Sequence, residues 1–247
     1  MDKQAVRELI WDALEERGEA RFPFPPHGRI PNFAGAKAAR DRLVETRPWR
    51  AAETLKCNPD APQLPVRRAA LRAGKVVYMA QPRLRDPDPF LELDPAVVTD
   101  IDEATTVSGV SKHGVPVAPE DVPQIDLVVA GSVAVTTDGV RLGKGEGYSD
   151  LEWAVLRELD AVDDDTVLAT TVHELQVLDG PASPFPADET QPNPDPHDVP
   201  IDIVAPPDGL RHTETPYPRP VGVDWDLLEE KRLGEIPVLA ARAPPTE

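Results

Sequence analysis

Cysteine is almost absent. Cys57 stands alone in 247 residues, which excludes an intrachain disulfide and a thiolate zinc cluster. Its surroundings, Thr54-Leu55-Lys56-Cys57-Asn58-Pro59-Asp60, carry no activating motif, so the thiol reads as structural. Lysine is scarce too, with 7 residues; lysine and arginine together number 26 against 44 acidic residues, a formal charge of −18. No basic stripe offers counterion release, so nucleic acid is not an expected partner. Aromatic residues make up 5% of the chain, and the four tryptophans show no spacing of a ligand stack. Long apolar runs and a charged-then-apolar leader are both missing, so neither membrane insertion nor secretion is expected and a cytoplasmic location is. The acidic residues are dispersed instead of gathered into a tail, the pattern of a salt-adapted, halophilic protein.

What is present reads as one domain over 1–247 with alternating elements. Val6, Leu9, Ile10, Ala13 and Leu14 recur at helical spacing, giving an amphipathic helix over 2–17 that ends at Gly18. Further helices are expected from Gly35 to Thr46 and from Val66 to Ala73, with a short one near Trp225–Arg232. Strands are expected at Thr54–Asn58, Lys75–Ala80, Ile125–Ala130, Thr166–Thr171 and Ile201–Val204. Strands separated by helices imply an α/β layered, largely parallel sheet. Residues 179–198 carry six prolines and read as an exposed loop.

The stretch that carries chemistry is Gly143-Lys144-Gly145-Glu146-Gly147-Tyr148-Ser149-Asp150. Asp138-Gly139 between Val133–Thr136 and Val140–Leu142 signals a hairpin turn just before it. Leu151, Ala154, Val155 and Leu159 mark a helix just after it, and Ser149 and Glu152 stand at capping-box spacing, which places the helix start at Ser149. Alternating glycines that run into a helix N-terminus form a cradle of free N–H groups for an anion. The two familiar phosphate motifs do not fit. Gly139 to Gly143 encloses three residues where a Walker A loop needs four, and the spacing G-x-G-x-G is not that of a dinucleotide fingerprint. A third nucleotide-binding geometry and a purely structural turn both stay open on these residues. His173, at a strand end, is a candidate substrate contact, with a satisfied structural histidine as the alternative. Met79, after an apolar strand, is a candidate lining for a pterin pocket, with core packing as the alternative. His197-Asp198 lacks the further motifs an HD metal dyad needs.

The run Val140–Asp150 resembles the signature of the 5-formyltetrahydrofolate cyclo-ligases, or methenyltetrahydrofolate synthetases, and is most similar to the branch of methenyltetrahydrofolate synthetase domain-containing proteins. The resemblance is collinear over most of the chain. It takes in Arg29-Ile30-Pro31-Asn32-Phe33-Ala34-Gly35, Pro82-Arg83-Leu84-Arg85, Asp126–Val135, His197–Asp202, Pro220-Val221-Gly222 and Glu235–Leu239. It implies a three-layer α/β fold of the NagB/RpiA/CoA-transferase-like type. It also implies ATP-dependent conversion of 5-formyltetrahydrofolate to 5,10-methenyltetrahydrofolate, assisted by Mg2+. By this resemblance Lys3, Arg7, Gly143, Lys144, Gly145, Gly147 and Tyr148 are expected to bind ATP and Asp150 to meet magnesium. The same resemblance places glycine or lysine at Glu146, tyrosine at Ser149 and, in many bacterial members, arginine at Leu151. These departures leave a second expectation beside the first: a folate- or nucleotide-binding protein without that turnover, acting in another pathway or in regulation.

The charge excess has a direct test. Thermal unfolding is expected to move to higher temperature as potassium chloride rises from millimolar to molar, with refolding on adding salt. A melting temperature indifferent to salt contradicts the salt-adapted reading.

Overall fold

The computed structural model describes residues 2–181, 183, 185 and 192–245. The chain opens with α1 (Lys3–Glu16), capped by the Asp2 carboxylate on the N–H groups of Gln4 and Ala5, and buries Val6, Ile10, Trp11 and Leu14 along one face. A two-stranded ribbon of β1 (Ala20–Arg21) and β2 (Asn32–Phe33) leads to α2 (Ala36–Val44) and α3 (Arg47–Ala51). Then come β3 (Thr54–Cys57), α4 (Leu64–Arg72), β4 (Val76–Ala80) and β5 (Phe90–Leu93). Two short helices, α5 (Ile101–Ala104) and α6 (Val107–His113), precede β6 (Val115–Val117) and β7 (Leu127–Val129). The hairpin of β8 (Ala134–Val135) and β9 (Arg141–Leu142) runs into α7 (Tyr148–Glu158). After α7 the chain adds β10 (Val167–Thr171), β11 (Ile203–Ala205) and β12 (Arg211–His212).

The main sheet has eight strands in the order β12-β11-β10-β7-β3-β4-β5-β6. Its centre, β11 to β4, is parallel, and antiparallel strands close both edges. Alternation along the strands sorts side chains into two layers. Leu55, Cys57, Val77, Met79, Leu127, Val129 and Ala169 point to the side of α4. Tyr78, Ala80, Val128, Ala130 and Leu168 point to the side of α7. Lys56 stands in register with Tyr78 and Val128, so the pleat sends a lysine into the α7 side of the core. Helices on both faces of a mostly parallel sheet give the three-layer α/β architecture expected from the sequence.

Several elements differ from expectation. The helix after the glycine loop starts at Tyr148, with Gly147 in the left-handed region (φ 69°) as its N-cap and no side-chain cap. The capping box does not form because both partners are used elsewhere: Glu152 pairs with Lys56, and the Ser149 hydroxyl donates to Asn58 Oδ1 at 3.3 Å. The strand expected at Ile201–Val204 begins at Ile203; Ile201 N–H bonds Gly139 O of the hairpin turn instead. The C-terminal helix is split, with a 3-10 turn at Trp225–Leu227 and a helix at Glu230–Glu235. Leu228, extended between them, packs against the core. Of the proline-rich stretch 179–198, residues 182, 184 and 186–191 lie outside the described residues, and the remainder carries neither helix nor strand. No described helix is long and apolar enough to cross a membrane.

Candidate functional site

Because β3, β4 and β7 run parallel, their carboxyl ends reach the same edge of the sheet, where open α/β folds hold ligands. A cleft of about 290 Å³ opens there. The turn Asn58-Pro59-Asp60 after β3 and Gly131 after β7 line it, as do Gln81-Pro82-Arg83 after β4 and, facing them, residues of the glycine loop. Arg67 of α4 fixes the first of these walls. Its buried guanidinium donates to the carbonyls of Asn58 (2.6 Å), Asp60 (3.0 Å), Pro59 (3.2 Å) and Thr105 (2.9 Å). Burial pulls its pKa down to about 10, and four carbonyl acceptors keep it in place.

The opposite wall is anchored by charge. Lys56 of β3 and Glu152 of α7 form a buried ion pair, and Asn58 Nδ2 donates to the same Glu152 oxygen at 3.0 Å. Asn58 Oδ1 in turn accepts from Gly131 N at 3.0 Å. Beside it, the buried Arg141 donates to Gly131 O at 3.1 Å and to Asp150 Oδ1. Burial alone would lower the Arg141 pKa, but the charge and hydrogen bond of Asp150 raise it. A half-exposed ion pair contributes about 0–1 kcal/mol, whereas removing one partner of a buried pair costs about 3–5 kcal/mol. The Lys56–Glu152 and Arg141–Asp150 pairs therefore hold α7 in place; the exposed pairs do not.

Between these anchors runs the cradle. Gly145 (φ 101°) and Gly147 (φ 69°) adopt backbone that side chains disfavour. Among the described residues, the N–H groups of Lys144, Gly145, Glu146 and Gly147 have no backbone acceptor. Arg7 donates from Nε to Gly143 O at 2.7 Å, and a β-carbon on Gly145 would lie 3.5 Å from the Arg7 guanidinium. Burial lowers the Arg7 pKa, though arginine stays charged. Lys144 lies 2.8 Å from Glu146 in a pair whose side chains are 35% and 44% exposed. At that exposure the pair is weak, so Glu146 does not lock Lys144 away from an incoming anion. Tyr148 lines the cleft, with the Arg232 guanidinium 4.9 Å above its ring.

The structure thus brings Arg7, Gly143, Lys144, Gly145, Gly147, Tyr148 and Asp150 together and leaves three expected residues elsewhere. Lys3 donates at 2.6 Å to Asp195 and at 2.6 Å to Asp198. Burial lowers its pKa, but these bonds outweigh burial and raise it. Asp195, His197 and Asp198 bring ligating atoms within 4.8 Å of one another, and the two carboxylates hold the Lys3 ammonium. Met79 is fully buried on the α4 side of the sheet, where strand alternation points it away from the α7 side and into the core. His173 caps a short 3-10 turn through Nδ1, which accepts from Leu175 N at 3.2 Å, and packs edge-on to Phe33, away from the cleft. Burial lowers its pKa, which favours the neutral ring that this capping role needs.

Asp60 was missed in the sequence. It faces the cleft, and Gly131 makes room for it: a β-carbon there would lie 2.9 Å from Asp60 Oδ2. Burial raises its pKa, against the pull of Lys144. Among the described residues its carboxylate accepts no hydrogen bond, so a ligand with N–H groups could supply the missing donor. For magnesium, both protein bonds to Asp150 fall on Oδ1, from Arg141 and from Val199 N at 3.2 Å. Among the described residues Oδ2 accepts no hydrogen bond, which makes it the oxygen that could meet a divalent cation.

The fold and cleft define a layered α/β protein with a glycine loop of unpaired N–H groups, counted among the described residues, at the carboxyl edge of its parallel strands. The chain belongs to the 5-formyltetrahydrofolate cyclo-ligase family, which matches residues 1–207. It is 37% identical over 242 residues to a methenyltetrahydrofolate synthase domain-containing protein of Bos taurus and 38% identical over 242 residues to that of Mus musculus. The alignments cover 97% of this chain but only 61% and 62% of those proteins, so the chain spans about three fifths of their length. The NMR structure of Aquifex aeolicus 5,10-methenyltetrahydrofolate synthetase superposes with a TM-score of 0.50 over 91% of this chain and 98% of that one; at 17% identity the likeness is one of fold.

The raised Asp60 pKa has a signed consequence. A carboxyl that keeps its proton more tightly when folded makes the protein less stable as pH rises above the ordinary value of 3.8. Asp60→Asn is therefore expected to melt higher than the parent near neutral pH, with the gap closing as pH falls toward 3.8. A gap that stays constant with pH contradicts this account of Asp60.

Proposed function

We propose that this protein converts 5-formyltetrahydrofolate to 5,10-methenyltetrahydrofolate at the expense of ATP. The observation that carries the reading is that one cleft joins an N–H cradle flanked by Arg7 and Lys144 to a carboxylate, Asp60, that has no compensating donor among the described residues. The cradle suits a triphosphate, and Asp60 suits the N–H groups of a reduced pterin. In this reading the formyl oxygen attacks the γ-phosphorus and ADP departs. N10 then attacks the activated carbon, its proton passes to solvent, and phosphate leaves with the former formyl oxygen. Free N–H groups aimed at accumulating phosphate charge, with Lys144 and Arg7 as cations, do most of the work of such a transfer. Magnesium at Asp150 Oδ2 would neutralise phosphate charge further.

The second reading, ligand binding without turnover, draws on the Lys144–Glu146 pair, which places a carboxylate in the cradle. The weakness of that pair favours the first reading, because a triphosphate with magnesium competes easily for an exposed lysine.

Purified protein in molar salt, given Mg-ATP and 5-formyltetrahydrofolate, is expected to accumulate methenyl absorbance. Lys144→Ala is expected to raise the KM for ATP about ten- to hundredfold, the loss of one charged hydrogen bond, with little change in the folate KM. Retained binding of both ligands with no product supports the second reading; a Lys144→Ala variant with unaltered ATP affinity rules out the cradle assignment.

A further inference from the structure

The residues after 207 lie beyond the stretch matched by the family, yet they pack tightly along α7. Trp153 Nε1 donates to Pro220 O at 3.1 Å, the Arg219 guanidinium lies 5.7 Å over the Trp153 ring, and Val223 N donates to Glu158 at 3.0 Å. Ile236, Val238 and Leu239 are buried in the core on the α7 side. This track delivers Arg232 to the glycine loop. Its Nη2 donates to Glu146 O at 2.6 Å, its guanidinium stacks on Tyr148, and its buried Nε has no partner among the described residues.

The consequence follows from the planarity of the peptide bond. In a trans unit the C=O and the next N–H point in opposite directions. Drawing Glu146 O toward Arg232 turns Gly147 N–H away from Arg232, and Arg7 does the same to Lys144 N–H by holding Gly143 O at 2.7 Å. Two arginines, one before the loop in sequence and one after it, thus grip the loop by its carbonyls and leave its N–H groups free. Were those carbonyls to turn inward, the cradle would present oxygen to an anion.

We propose that Arg232 is a positioning residue for the anion-binding loop, which makes the C-terminal segment part of the nucleotide site. The nucleotide half of this statement rests on the function proposed above. The test compares the full chain with Arg232→Ala and Arg232→Lys in three measurements: amide hydrogen exchange, calorimetric titration with Mg-ATP, and titration with 5-formyltetrahydrofolate. Arg232→Ala is expected to speed exchange at residues 144–147 about tenfold while core strands keep their protection. It is also expected to weaken Mg-ATP about tenfold, the loss of one charged hydrogen bond, and to leave folate affinity alone. Arg232→Lys, which keeps a donor for the carbonyl but loses the planar stack, is expected to fall between. Unchanged loop exchange and unchanged Mg-ATP affinity in both variants overturn the proposal. A loop that responds in exchange while the parent protein binds no nucleotide upholds the positioning role and overturns the nucleotide reading instead.

Discussion

The buried pair between Lys56 and Glu152 is the interaction on which the site depends. It joins the central strand β3 to α7 across the layer where only apolar contacts would otherwise hold them. Asn58 extends the pair to the backbone of Gly131, and Ser149 extends it to the start of α7. Both walls of the cleft therefore refer to one polar cluster. Losing either charge would strand the other in the core at a cost of about 3–5 kcal/mol, a large share of the stability of a domain this size. Arg141 and Asp150 repeat the device two residues closer to the loop along α7.

The protein carries a net charge of −18, yet its cleft gathers cations. Arg7, Arg141, Lys144 and Arg232 all lie against the glycine loop. They divide into two kinds. Arg7 and Arg232 donate to carbonyls of the loop itself and Arg141 is bound to Gly131 O and Asp150, while Lys144, among the described residues, is tied only to an exposed carboxylate and is the cation most readily given to a ligand.

Much of this was legible in the residues. Helical periodicity placed α1, α2 and α4, apolar runs placed the parallel strands, and the glycine pattern placed the loop against a helix start. Local patterns failed where a side chain had a distant partner. Ser149 and Glu152 have capping-box spacing, but a lysine 96 residues away claims the glutamate. Lys3, expected at ATP from the resemblance, is paired with Asp195 and Asp198 from the far end of the chain, which no local pattern shows. Met79 sits on a strand whose neighbours at 78 and 80 face the α7 side, and a single step along the pleat sends it the other way. Asp60 gave no signal, because its importance comes from Gly131 making room for it and from Arg67 holding its turn, and neither is adjacent in sequence. The short strands β5 and β6 were also missed; Pro116 in β6 is tolerated only because β6 lies at the sheet edge.

The central claim is that this cleft moves a phosphoryl group from ATP to the formyl oxygen of a folate. Turnover of 5-formyltetrahydrofolate labelled with heavy oxygen in the formyl group tests it most directly, with the released phosphate analysed by mass. The account predicts that the label leaves in the phosphate, one atom for each methenyl product formed. Product accompanied by unlabelled phosphate would contradict it.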